Sequence, residues 1–250
     1  MTLTEYLQQL QNTKLYPYDT QDIAINNHTY KIKIEPDTDC FAPTMRTLLF
    51  DWNERYSLGD YHDSGADDFL YNFVQQSTTS DVFNTLREAC ESADNPMSWY
   101  HVLQSVPNVI ATRLCIYEHS GAQLYRAPSH TDPWDTRSTV LAVYQYDNTL
   151  PVSENVTIAN QEIETYCKYF NGEVYTVSLL EPVRVTHTRT YLDGRTDTST
   201  DTTYEPCVTV CEVYDPPRNL LDAYNLLAQY SDDTLTLTPT TTTTTTQEAQ

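Results

Sequence analysis

Val183-Arg184-Val185-Thr186-His187-Thr188-Arg189-Thr190-Tyr191 and the stretch Thr196 to Tyr214, which opens Thr196-Asp197-Thr198-Ser199-Thr200-Asp201-Thr202, flank the dipeptide Asp193-Gly194. Asp-Gly tolerates the positive φ that a tight turn demands, and the flanks alternate with period two, so the stretch predicts a β-hairpin. Thr fills most of the positions. Cross-strand Thr pairs stabilise a solvated ribbon, and the hairpin is therefore expected to project from the body.

Working outward from the hairpin, residues 173–180 read as a strand. The helical stripe Ile158, Ile163, Tyr166, Tyr169 and Phe170 precedes them and ends at Asn171-Gly172. Residues 108–117 and 139–146 read as central strands, separated by a long loop that contains Pro and Gly; loops of that length are usually functional. Residues 44–56 form a buried strand, followed by short helices over 67–75, 81–92 and 97–105. Ile23, Ile25, Tyr30, Ile32 and Ile34 alternate around Asn26-Asn27 as a second hairpin. An N-terminal helix through Tyr6, Leu7 and Leu10 stops before Pro17, and a C-terminal helix carries Leu220, Leu221, Tyr224 and Leu227. The pattern predicts an α+β fold: a mixed, largely antiparallel sheet with flanking helices and a projecting C-terminal β-hairpin. One domain is expected over 1–231, with a motif-bearing core at about 32–180 and the hairpin and last helix at 183–230. Residues 232–250 are expected to be a disordered Thr-rich tail.

The 250 residues include 35 acidic and 14 basic side chains, a formal charge of −21. That charge disfavours direct contact with nucleic acid or an anionic membrane and suits a basic protein partner. It equally serves solubility or adaptation to high salt. The chain opens on a polar stretch rather than an apolar leader, and no apolar run nears the roughly 20 residues needed to span a bilayer, so a cytoplasmic location is expected. Six Cys are scattered along the chain, which favours free thiols over a disulfide framework. With five Gly there is no Gly-rich phosphate loop.

Three polar, aromatic-rich blocks stand out. The first is Trp52-Asn53-Glu54-Arg55-Tyr56-Ser57-Leu58-Gly59-Asp60. The second is Tyr117-Glu118-His119-Ser120-Gly121 with Pro133-Trp134-Asp135. The third is Glu162-Ile163-Glu164-Thr165-Tyr166, continuing through Gly172-Glu173-Val174-Tyr175. In this order they resemble an uncharacterised protein family of bacteriophages, prophages and mobile elements, for which no activity is established. The family pattern has His where this chain has Asn53, so the resemblance carries no metal or catalytic role to that position. It implies an accessory protein working in the host-cell cytoplasm. The candidate binding residues are Trp52, Arg55, Tyr56, Asp60, His62, Glu118, His119, Trp134, Asp135, Glu162 and Tyr166.

Two functions fit these residues. As an acidic protein-interaction module, the chain would meet a basic surface on a host or viral protein, in one version by imitating the phosphates of DNA for counter-defence. It would need no cofactor, and Asp51, Glu54, Asp60, Asp63, Asp67 and Asp68 form its densest acidic run. As a metal-dependent hydrolase of a phosphoester, it would hold a divalent ion through Asp60, His62, His119 and Asp135, with Glu118 and Asp132 nearby. Both require the blocks to gather at one edge of one sheet.

Overall fold

The computed structural model describes residues 1–52, 61–62, 65–118, 122–126 and 136–238. In chain order the first elements are α1 (Leu3–Asn12), β1 (Thr20–Ile25), β2 (His28–Pro36), β3 (Leu48–Asp51), β4 (Tyr61–His62), α2 (Gly65–Ser77), α3 (Ser80–Glu91) and α4 (Pro96–Leu103). They are followed by β5 (Val109–Glu118), β6 (Ala122–Arg126), β7 (Thr136–Gln145), α5 (Val152–Phe170), β8 (Tyr175–Thr190), β9 (Thr196–Val213) and α6 (Leu220–Tyr230). The fold is α+β. The chain divides into two compact units, residues 1–40 with 172–250, and residues 41–171. The span 1–231, which the sequence presents as one domain, is distributed over both.

The first unit is an antiparallel sheet in the order β1-β2-β8-β9. Asn26 and Asn27 both take positive φ, 50° and 63°, so the β1–β2 turn is the tight type the sequence suggests. Ile23, Ile25, Ile32, Ile34, Val177 and Leu179 then share a core with Tyr6 and Leu10 of α1 and with Leu220, Ala223 and Leu227 of α6. A capping box starts α1: Thr2 Oγ1 accepts from the Glu5 amide at 3.2 Å, and Glu5 Oε2 accepts from the Thr2 amide at 2.7 Å. The Tyr6 hydroxyl accepts from the Ala24 amide at 2.6 Å, tying the helix to the outer strand.

Two expectations change here. Residues 234–238, assigned by composition to the disordered tail, return to β1: the Asn26 amide donates to the Thr236 carbonyl at 2.8 Å and the Thr238 amide to the Ala24 carbonyl at 3.1 Å. Leu235 and Leu237 give this segment apolar area to bury, which the Thr run beyond it lacks. Strand β8 also runs unbroken through Pro182, just past Leu180, the last residue that pairs with β2. A missing amide there interrupts no ladder on that side.

Beyond Leu180 only β8 and β9 continue, as ten antiparallel pairs from Glu181↔Glu205 to Thr190↔Thr196. This is the projecting hairpin. A three-residue turn closes it, with the Gly194 amide donating to the Tyr191 carbonyl at 2.9 Å and Gly194 at φ 85°. Burying an Ile or Leu stabilises a fold by roughly 1.5–3 kcal/mol. No side chain from Glu181 to Thr190 or from Thr196 to Glu205 is fully buried, so the ribbon forgoes that stabilisation.

The second unit sandwiches a five-stranded sheet, order β4-β3-β7-β5-β6, between helices. All neighbours are antiparallel except β3 and β4. Alternation along the strands sends Phe50, Ala111, Leu141 and Val143 towards α2, α3 and α4, where they meet Leu70, Phe83, Trp99 and Leu103. It sends Leu49, Leu114, Ile116, Val140 and Ala142 towards Ile163 and Tyr166 of α5. Strand β6 lies inside the stretch the sequence assigns to a loop. The Asn171 side chain covers its outer edge, accepting from the Leu124 amide at 2.7 Å and donating to the Leu124 carbonyl at 3.2 Å.

Asn155, fully buried in the first turns of α5, ties the helix to the end of β7. Its Oδ1 accepts from the Tyr144 hydroxyl at 3.0 Å and the Asp147 amide at 2.7 Å, while its Nδ2 donates to the carbonyls of Asp147, Leu150 and Pro151. Removing a hub of this kind strands several buried polar groups, each costing about 1–3 kcal/mol. Asn155→Ala is expected to lower stability by roughly 3 kcal/mol, read as a shifted midpoint of urea unfolding. An unchanged midpoint would show the hub to be idle.

Candidate functional site

Strand register decides where the motif-bearing blocks leave the second sheet. β3 ends at Asp51, paired with Val140 of β7 and His62 of β4. β5 runs on to pair Tyr117 with Thr136 at the start of β7 and Glu118 with Ala122 at the start of β6. The ends that flank residues 53–60, 63–64, 119–121 and 127–135 include Asp51, His62, Glu118, Ala122 and Thr136, and all of these lie at one end of one sheet. That end is stepped: the β5–β7 pair continues four residues past the level of Asp51, about 13 Å of strand.

Two carboxylates from helices on opposite faces fix β3. At its start, Glu162 of α5 accepts from the Arg46 amide at 3.1 Å, the Thr47 amide at 2.8 Å and the Thr47 hydroxyl at 2.6 Å. The Arg46 guanidinium continues to Asp147 at 3.0 Å. Hydrogen bonds from Thr149, with Arg46 adding its charge, hold the Asp147 carboxyl below the usual carboxylate range. At the far end, Asp67 Oδ1 in the first turn of α2 accepts from both the Trp52 indole at 3.1 Å and the Trp99 indole at 2.7 Å. Trp99 is buried and Trp52 half-buried against Phe50, with ring centres 6.5 Å apart. Asp51, fully buried, sits between these two anchors.

Of the sequence candidates, Arg55, Tyr56, Asp60, His119, Trp134 and Asp135 lie outside the described residues. His62 and Glu118 stand on the strand ends just named. Trp52 closes β3 with its indole already engaged, Glu162 clamps the strand's start, and Tyr166 is core. These last two are some distance along the fold from the strand ends, because α5 brings them to the opposite end of β3 and to the sheet face. Two members of the expected acidic run also turn inward: Asp51 is buried and Asp67 serves the two indoles, whereas Asp68 remains exposed.

Sequence reading missed Asp67 as a structural acceptor, since nothing in its spacing foretells that Trp52 and Trp99 converge on it. It also missed Asn171, read only as a helix stop. Among the described residues, no group of three His, Cys, Asp or Glu side chains is placed to hold a metal ion. No disulfide among the described residues joins any of the six Cys. No helix among the described residues is long and apolar enough to cross a membrane.

The chain matches no family model, no curated protein and no solved structure.

Asp67→Ala leaves two indole donors without their acceptor. Hydrogen bonds to a charged group contribute about 1.5–3 kcal/mol each, so a loss of roughly 3 kcal/mol is expected. Tryptophan fluorescence reports it directly, because Trp52 and Trp99 are two of the three Trp. A variant with the parent's spectrum and unfolding midpoint would refute the double anchor.

Proposed function

We propose that this chain is an accessory protein of a bacteriophage or other mobile element, acting in the host-cell cytoplasm as an acidic protein-interaction module. Its partner is a host or viral protein with a basic surface, and mimicry of nucleic-acid phosphates for counter-defence is the specific version. The motifs quoted from the sequence support the origin. The outer face of α3 carries the interaction reading.

On that helix Asp81, Glu88 and Glu91 fall within about 80° of one another around the axis, opposite Phe83, Leu86 and Cys90 on the core side. All three acids are exposed, and none meets a basic side chain among the described residues. The one cation on the helix, Arg87, is turned aside to Asn84 at 2.6 Å and over the Phe83 ring. Asp94 extends the same charge beyond the helix end. Acids on a convex helix face offer a strip of fixed negative charge rather than a pocket, the arrangement that steers a basic partner.

The immobilised chain is expected to retain a basic protein from host lysate at about 0.1 M salt and release it near 1 M, where the screening length falls to about 3 Å. The triple variant Asp81→Lys, Glu88→Lys, Glu91→Lys should lose at least tenfold of that retention. Equal retention by the variant, or none by the parent at low salt, would contradict the assignment.

A second reading, the metal-dependent phosphoester hydrolase, is favoured by the shared strand ends that flank the segments bearing Asp60, His119 and Asp135, with His62 on one of them. A metal at a hundredfold excess over its Kd stabilises the fold by about 2.7 kcal/mol. Under this reading Mn²⁺, Mg²⁺ or Zn²⁺ raises the Tm of the parent by several degrees and leaves Asp60→Asn unmoved. No shift with any of the three removes the reading.

A further inference from the structure

In the first unit the segment after α1 pairs with the segment before α6: the Leu15 amide donates to the Arg218 carbonyl at 3.1 Å and the Leu220 amide to the Thr13 carbonyl at 3.0 Å. These two segments line a cavity of about 500 Å³. Buried Leu15 and Ile34, exposed Tyr16 and three Pro supply its apolar lining, and Lys14, Arg218 and Asp215 its charge.

The cavity is preformed. Residues Tyr16-Pro17-Tyr18-Asp19 make a tight turn, closed by the Asp19 amide donating to the Tyr16 carbonyl at 3.0 Å. Tyr18 stands third in it at φ 72°, a position that ordinarily selects Gly or Asn. Strand β2 holds the turn there: the Tyr18 amide donates to the Ile34 carbonyl at 2.7 Å, and the Ile34 amide to the Asp19 carbonyl at 3.1 Å. Asp19 Oδ2 accepts from the Tyr16 amide at 2.9 Å. With this turn on one side and the rigid Pro216-Pro217 pair on the other, the walls do not collapse into the space between them.

The charges on the lining are unusual for this chain. With 35 acidic and 14 basic side chains, cations are scarce and partners for them plentiful. Among the side chains described, every Lys and Arg but Lys14, Arg184 and Arg218 meets a carboxylate, a side-chain amide or an aromatic ring. Two of those three line the same cavity. Asp215, the one acid on the lining, has a partner of its own, and neither Lys14 nor Arg218 has an ion-pair partner among the described residues. Screening confines each charge to about 8 Å at physiological salt, so the two nearby cations outweigh the distant surplus of acids.

We infer that this cavity binds a small organic anion with a flat ring, either a mononucleotide or an aromatic carboxylate. The ring packs on Tyr16 and the prolines, and the anionic group meets Lys14 and Arg218. The site is separate from the α3 face, and its test does not depend on retention of a basic protein.

Amide chemical shifts of the full chain, followed during titration, test this with AMP and 4-hydroxyphenylacetate as the two anions. At least one is expected to shift the Leu15, Tyr16 and Arg218 amides with a Kd below about 1 mM, and the tighter of the two names the source. Adenosine, which has the ring without the charge, and inorganic phosphate, which has the charge without the ring, should each bind at least tenfold more weakly than AMP. Lys14→Glu with Arg218→Glu should weaken the anions at least tenfold and leave adenosine unchanged. It should keep the parent's Tm, since both positions are exposed. Tyr16→Ala should weaken AMP and adenosine alike. No shift with either anion up to about 10 mM, inorganic phosphate binding as tightly as AMP, or anion binding undiminished in the double variant would overturn the assignment.

Discussion

Strand β3 is four residues long, and its register against β7 governs the second unit. Leu49 and Phe50 face opposite helical layers, so a slip of one residue would send each into the wrong core and turn Asp51 to the other face. A strand this short cannot hold its register by ladder bonds alone. Glu162 from α5 grips the amides before it, and Asp67 from α2 grips the indole after it, one carboxylate from each side of the sheet. Because β3 is pinned at both ends, Asp51 emerges beside His62 at the end of the sheet where β5 finishes and β7 begins.

Charge in this protein therefore divides between two tasks. Asp67, Asp147 and Glu162 accept from donors brought by other parts of the chain and set geometry, and Asp51 is buried. Asp81, Glu88 and Glu91 stay in water on α3 and present the surplus charge. Exposed ion pairs contribute roughly 0–1 kcal/mol, so the unpaired surface acids forgo little stability by lacking partners. The ribbon stands apart from both groups. It is held by cross-strand Thr pairs and a tightly bonded tip rather than by burial, and an isolated two-stranded hairpin is marginal on its own.

Local chemistry made much of the fold legible. Asn26-Asn27 and Asp193-Gly194 named their hairpins because only residues tolerant of positive φ fit those turns. The apolar stripes of α1, α5 and α6 named their helices. Elements whose cause is distant were invisible: β6 carries too few apolar residues to announce itself and depends on pairing with β5 and on Asn171. Residues 234–238 read as tail because Thr dominates, yet Leu235 and Leu237 dock them. At the candidate site, the shared end of the sheet follows from placing residues 108–117 and 139–146 as neighbouring strands. The inward roles of Asp51, Asp67 and Glu162 do not, since a carboxylate has the same one-letter identity whether it meets water or an indole 32 residues away.

Backbone NOEs in the deuterated chain test the central claim most directly, by reporting which residues face each other across β3, β7 and β5. Cross-strand contacts of Phe50 with Leu141, Asp51 with Val140 and Tyr117 with Thr136 are expected together, placing the ends of all three strands at one end of one sheet. Contacts displaced by one residue between β3 and β7, or none between Tyr117 and Thr136, would contradict it.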